Sequence, residues 1–186
     1  PREAPRCTLA AAVAVQRAIS QFAGVACGIK WPNDILDKQS GRKLVGILTE
    51  MSAEIDAVNY IVVGIGINVN STQEDFPPEI AGIAASLAMI SGQPFCRLEL
   101  VAALLDELEQ AYFKITNDRF AEILAAWREA SLTLGAEVAV FEPGGSGFTG
   151  MARDIDAEGA LLVETPQGMR RVVAGDVTLR PARLGK

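Results

Sequence analysis

The sequence predicts an α+β protein that ends in a small all-β barrel, and three observations predict it. Two segments rich in β-branched residues, "KLVGILTEM" and "NYIVVGIGINVN", follow one another in the chain. They are flanked by stretches whose apolar residues recur at intervals of three and four. From Leu134-Gly135 onward this helical spacing gives way to short alternating runs parted by glycine-bearing turns. The 186 residues therefore divide into an α+β region over 1–133 and a barrel of SH3-like type over 134–186.

In order, Thr8 precedes an alanine-rich stretch with Leu9, Val13, Val15, Ile19 and Phe22 on it, which suits a helix capped by the threonine and stopped near Gly24. A short strand over 25–31 ends at Pro32, whose ring removes a donor and biases Trp31 toward extended backbone. "DKQSGRK" reads as loop, and the two β-branched segments are antiparallel neighbours across "SAEIDA". Pro78 opens a helix to about Ser91. Helices over 98–115 and 118–132 follow, with Leu100, Leu104, Leu105 and Leu108 at helical spacing on the first and Asn117 capping the second. "EVAVFE", "GFTGMARDI", "GALLVET", "RRVVAG" and "DVTLR" form the barrel, with "PGGSG", "DAEG" and "TPQG" as its turns.

Composition narrows the chemistry. A net charge of -6 with no run of Lys or Arg gives nucleic acid and anionic membranes nothing to bind, and the apolar run over 9–15 is far shorter than the roughly 20 residues that span a bilayer. Three widely spaced cysteines argue for a reducing compartment, and we expect a soluble cytoplasmic protein. With no histidine, zinc sites and Ser-His or Cys-His catalysis drop out, leaving Lys, Asp, Asn and backbone.

Charges interrupt the apolar texture at "IKWPNDIL". Pro-Asn-Asp alone suits a surface turn, and Lys43, at a strand start, alone suits a solvated edge residue. In "VVGIGIN" the two-residue period puts Ile61, Val63, Ile65 and Ile67 on one face and Val62, Gly64, Gly66 and Asn68 on the other. Paired glycines on one face suggest something lying flat on the backbone, either a core side chain or a ligand. The same period puts Lys43 with Val45, Ile47 and Thr49. Taken together, Lys30, Asn33, Asp34, Lys43 and Asn68 around a glycine floor suit an anionic substrate whose charge is redistributed.

"KWPND", "GRKLVGILTE" and "VVGIGINVN", in this order and spacing, resemble the biotin protein ligase family, and the helical tract and barrel extend the likeness along the chain. The resemblance implies a mixed, largely antiparallel sheet with flanking helices, related to class II aminoacyl-tRNA synthetases. It implies that biotin and Mg2+-ATP give biotinyl-5'-AMP, whose acyl group passes to a lysine of a biotin carboxyl carrier domain. Under it, Lys43 touches the biotin carboxylate and the phosphate, Lys30 and Asp34 belong to the catalytic motif, and Asp34 holds the amine or Mg2+. Trp31, Asn33 and Asn68 face the nucleotide, and Gly46, Ile47, Gly64 and Gly66 line the floor. Lipoate and octanoate ligases share the fold and are the nearest enzymatic alternative. A non-catalytic module that docks the carrier domain is a third reading. Homodimerisation is expected from an exposed sheet edge. The family's glycine- and arginine-rich loop and its Ser/Thr segment match nothing in residues 1–28, so the chain is expected to lack the N-terminal part of the catalytic domain and to be weak or inactive alone.

Overall fold

The computed structural model describes residues 3–53, 58–141, 147–173 and 175–179. Helix α1 (Glu3–Ala23) is built on alanine, the strongest helix former, and nearly all of residues 9–15, with Ala18 and Ile19, are buried. It ends where Gly24 turns left-handed at φ 64°. The helix starts five residues ahead of Thr8, so Thr8 does not cap it. Its hydroxyl instead hydrogen-bonds that of Thr49, 2.8 Å away on the sheet.

Strands β1 (Cys27–Lys30), β2 (Asp34–Asp37), β3 (Lys43–Ala53) and β4 (Val58–Ile67) form an antiparallel sheet in chain order. The hairpin of β3 and β4 is the expected one, with its connection at 54–57 outside the described residues. Strand β2 is absent from the sequence reading, because four residues with Ile35 and Leu36 both buried show no alternation. Helix α1 covers one face of this sheet and carries α3 (Arg97–Thr116) and α4 (Phe120–Ala130) on its other side.

Between the sheet and these helices, a 3-10 turn (Gln73–Asp75) leads to α2 (Leu87–Ser91), where the Ser86 hydroxyl caps the helix by accepting from Met89 N. The helix expected over 78–91 exists only in this last stretch. The main chain of Lys43 takes residues 83–85 as a partner, with Lys43 N donating to Ile83 O (2.7 Å) and Ala85 N to Lys43 O (2.9 Å), and that holds the segment extended. Asn117 is a C-cap rather than an N-cap, since its amide donates to Phe113 O at the end of α3. Leu105 points to solvent at 59% exposure, while Leu100 and Leu104 are buried as expected. After α4 the chain extends two residues earlier than predicted, and Ser131 bridges to Ile29 of β1.

The C-terminal sheet comprises β5 (Glu137–Phe141), β6 (Gly147–Ile155), β7 (Leu161–Thr165), β8 (Gly168–Val172) and β9 (Asp176–Leu179), ordered β8-β7-β6-β5-β9. Val138, Val140, Ala152, Ile155, Leu161, Val163, Val172 and Val177 fill its interior, in line with the period-two pattern. Most of the "PGGSG" turn lies outside the described residues.

Candidate active site

The register of the first sheet lines up one rung across four strands: Lys30 faces Asp34, Asp34 faces Gly46, and Gly46 faces Gly66. Lys43 joins that rung through a bulge. Leu36 pairs with Lys43 and Ile35 with Val45, leaving Leu44 as an extra residue in β3. The expected grouping of Lys43 with Val45 and Ile47 is thereby reversed. Leu44 and Val45 both go into the core, and the lysine crosses to the Gly46 face. A Cβ on Gly46 would stand 3.3 Å from Lys43 Nζ, so the absence of a side chain there makes room for the ammonium.

Lys43 Nζ lies 2.6 Å from Asp34 Oδ1, and Lys30 Nζ lies 3.5 Å from Asp34 Oδ2. One carboxylate thus sits between two ammonium groups, leaving one positive charge in excess. The Lys43 side chain is 45% exposed, so the group is half open to water and can still take up an anion.

Beyond this rung, Gly64 and Gly66 are exposed, and the nearest atoms to a Cβ at either are backbone carbonyls at 3.7 and 3.8 Å. Among the described residues no bulky side chain covers them. Exposed Val62 continues the face and half-buried Ile61, Val63 and Ile65 alternate with it, as the period predicts.

Other predicted residues are placed differently. Ile47 is 1% exposed and pairs with Ile65 on the opposite face, so its side chain is not part of the glycine floor. Its main chain is held by Asn33, whose carbonyl accepts from Ile47 N (3.0 Å) and whose amide donates to Ile47 O (2.6 Å). Trp31 is 2% exposed, with its amide N donating to Thr133 Oγ1 (2.8 Å) and its indole Nε1 to Gly159 O (3.0 Å). Asn68 lies half-buried just past β4, its amide N bonded to Leu44 O at the bulge.

A cavity of about 330 Å³ opens beside the Asn33–Ile47 link, among Thr8, Leu9, Trp31, Asn33, Ile47 and Leu48. None of Lys30, Asp34, Lys43, Gly64 or Gly66 lines it. The charged cluster therefore lies outside this cavity, whose wall includes Asn33 of the adjoining turn and Leu48, the partner of Gly64. Thr133, Gly159 and Arg42 escape sequence reasoning: the first two meet Trp31 across 102 and 128 residues, and Arg42 donates to Gln73 Oε1 and Ala81 O across the loop that follows β4. No local pattern announces contacts of that length.

Asp34 is the carboxylate offered to Mg2+. Both of its oxygens face lysines, and among the described residues no group of three Asp, Glu or Cys side chains could hold a metal. Magnesium prefers about six oxygen ligands in octahedral array, so these residues do not make a resident magnesium site.

An antiparallel sheet backed by one buried helix and followed by a small five-stranded sheet is an architecture that this chain shares with solved biotin protein ligases. The model of the "Biotin/lipoate A/B protein ligase family" matches residues 1–68, and that of the "Biotin protein ligase C terminal domain" matches residues 133–180. The chain is 40% identical over 178 residues to the bifunctional ligase/repressor BirA of Bacillus subtilis, covering 96% of this chain and 54% of that protein. It is 37% identical over 175 residues to the biotin--[acetyl-CoA-carboxylase] ligase of Mycobacterium tuberculosis, covering 91% and 60%. The biotin protein ligase of Aquifex aeolicus in complex with biotin and ATP superposes with a TM-score of 0.78 at 28% identity, covering 95% of this chain and 71% of that one. The chain belongs to the biotin protein ligase family, with an SH3-like C-terminal domain. It spans about half the length of the curated BirA relatives it matches.

Proposed function

We infer that this chain is the part of a biotin protein ligase that carries the cationic wall of the active site. The observation that carries the reading is the Lys30–Asp34–Lys43 cluster at the rim of the Gly46, Gly64 and Gly66 floor. In the reaction proposed, a carboxylate oxygen of biotin attacks the α-phosphorus of ATP. A mixed anhydride forms as the bond to pyrophosphate breaks, and the amine of a carrier-domain lysine then takes the acyl group as an amide while AMP leaves. The first step brings two anions together, and Lys43 offsets their repulsion and the charge that grows on the phosphate oxygens. Asp34 orients Lys43 and holds the incoming amine, and Lys30 balances its charge. The flat glycine surface receives the adenylate. Asn33 and Asn68 serve the nucleotide, and Trp31, a wall of the cavity, helps to build the adenine side. Mg2+ belongs to the nucleotide phosphates, since a single carboxylate flanked by ammonium groups suits an amine and not a magnesium shell.

A lipoate- or octanoate-type ligase would use the same wall, and the biotin ligase C-terminal domain over 133–180 favours biotin. The proposed partner is a biotin carboxyl carrier domain, in the cytoplasm, with a homodimer as the assembly and a domain boundary near residue 133. The deciding experiment is biotin-dependent pyrophosphate release by the full natural polypeptide and by its Lys43→Ala form. Undiminished release in the variant, or release driven by lipoate and not by biotin, refutes the assignment.

A further inference from the structure

Trp31 lies between Lys30 and the turn that leads to Asp34, yet its hydrogen-bond partners belong to the last third of the chain. Its main-chain N–H goes to Thr133, a fully buried threonine, and its indole N–H to the carbonyl of Gly159. Residues 131–133 run beside β1, with Leu132 N donating to Ile29 O at 2.8 Å. Gly159 closes the turn between β6 and β7 at φ 88°, and a Cβ there would stand 2.8 Å from Leu9 Cδ1. Asp156 fastens the turn, accepting from Glu158 N and Ala160 N through Oδ1 while Arg171 Nε donates to its Oδ2.

We propose that Thr133 and Gly159 are positioning residues for the Lys30–Asp34–Lys43 cluster, acting through Trp31. Two clamps hold the 31–33 turn. At one end Asn33 makes two bonds to the main chain of Ile47, and at the other Trp31 is gripped by backbone and side chain from behind. The Lys30–Asp34 pairing and the 2.6 Å contact of Asp34 with Lys43 depend on where this turn lies against β3. Release at Trp31 leaves the turn held by Asn33 and by the flanking β1–β2 pairs. The catalytic consequence rests on the ligase reading, and the geometric one does not.

The test compares Thr133→Val, which deletes the acceptor at nearly constant volume, Thr133→Ser, which keeps it, and Trp31→Phe, which keeps an aromatic ring without the N–H. All are made in the full natural polypeptide. Turnover in biotin-dependent pyrophosphate release is expected to fall about tenfold or more in Thr133→Val and Trp31→Phe, because displacements of about 1 Å cost rate far more than binding. KM for ATP and biotin stays within about twofold of the parent in Thr133→Val, and Thr133→Ser keeps parental turnover. Independently of activity, acetylation of Lys43 by a water-soluble amine reagent, read by mass spectrometry on folded protein, is expected to speed up several-fold in the two impaired variants and not in Thr133→Ser. Parental labelling in both Thr133→Val and Trp31→Phe overturns the proposal, as does equal impairment of Thr133→Ser and Thr133→Val. If Thr133→Val does not fold, Trp31→Phe alone decides. A parent without pyrophosphate release refutes the ligase reading, and the labelling still decides the positioning.

Discussion

Asp34 shows how one residue gains a role through its neighbours. A carboxylate placed between two ammonium groups cannot neutralise both, and one positive charge remains in excess. Because these pairs are partly hydrated, their net contribution to folding is small, about 1 kcal/mol or less each. Lys43→Ala is therefore expected to lower adenylate formation by about 10² to 10³ while its thermal midpoint stays close to the parent's, and parallel pyrophosphate-release and melting measurements check both halves. The cysteines give a second prediction at this scale. Burial pushes the Cys27 thiol up in pKa, more than the Ser20 hydrogen bond and nearby Lys38 lower it, so it stays protonated at neutral pH. Cys96 is exposed. Thiol labelling of native protein is expected to modify Cys96 and to leave Cys27 intact until the protein unfolds. Native-state labelling of Cys27 would contradict its burial.

At the scale of elements, the bulge at Leu44 decides which side of the sheet Lys43 occupies. Deleting Leu44 removes the two-against-one count and leaves Lys43 two residues ahead of Gly46 in a regular strand, so the lysine is expected to keep its face while the core loses a fully buried leucine. The lost burial would cost about 2–5 kcal/mol, and a urea melt checks it. The turn of β6 and β7 supplies a pH prediction. Burial raises the Asp156 pKa, but the hydrogen bond from Arg171, those from the amides of Ala160 and Glu158, and the charge of Arg171 hold it below its ordinary 3.8. A carboxyl lower in the folded state stabilises above its unfolded pKa and loses that contribution as pH falls through the folded one. Trp31 fluorescence is therefore expected to report a loosened turn only below about pH 4, and Asp156→Asn is expected to flatten the change. Such dependences were not visible beforehand, whereas much of the architecture was. The β3–β4 hairpin, the glycine face and the barrel strands are legible because a period of two is local information. The bulge is not, since one extra residue leaves no mark in a run where Leu44 and Val45 are both apolar. The helix expected from Pro78 failed for a related reason: it competes with the demand of the Lys43 main chain for partners at Ile83 and Ala85.

For the whole molecule, the two sheets share one continuous apolar core that runs from α1 through α4 into β5, β6 and β7. Arg128 reinforces the junction by donating to Asp154 and to Ile155 O from α4. The chain is accordingly expected to unfold in a single transition, with far-ultraviolet circular dichroism and tryptophan fluorescence coinciding in urea. Two separated midpoints would mean that the sheets are energetically independent. Among the described residues no helix is long and apolar enough to cross a membrane. The length of the Trp31 tether has a consequence for synthesis. The first sheet is made of neighbouring hairpins and can assemble as soon as it leaves the ribosome, but the carbonyl that receives the indole is encoded 128 residues later. At about 5–20 residues per second, the nascent chain holds this ring without its partner for something on the order of ten seconds, and a message truncated before the codon for Gly159 would yield a polypeptide that never fastens it.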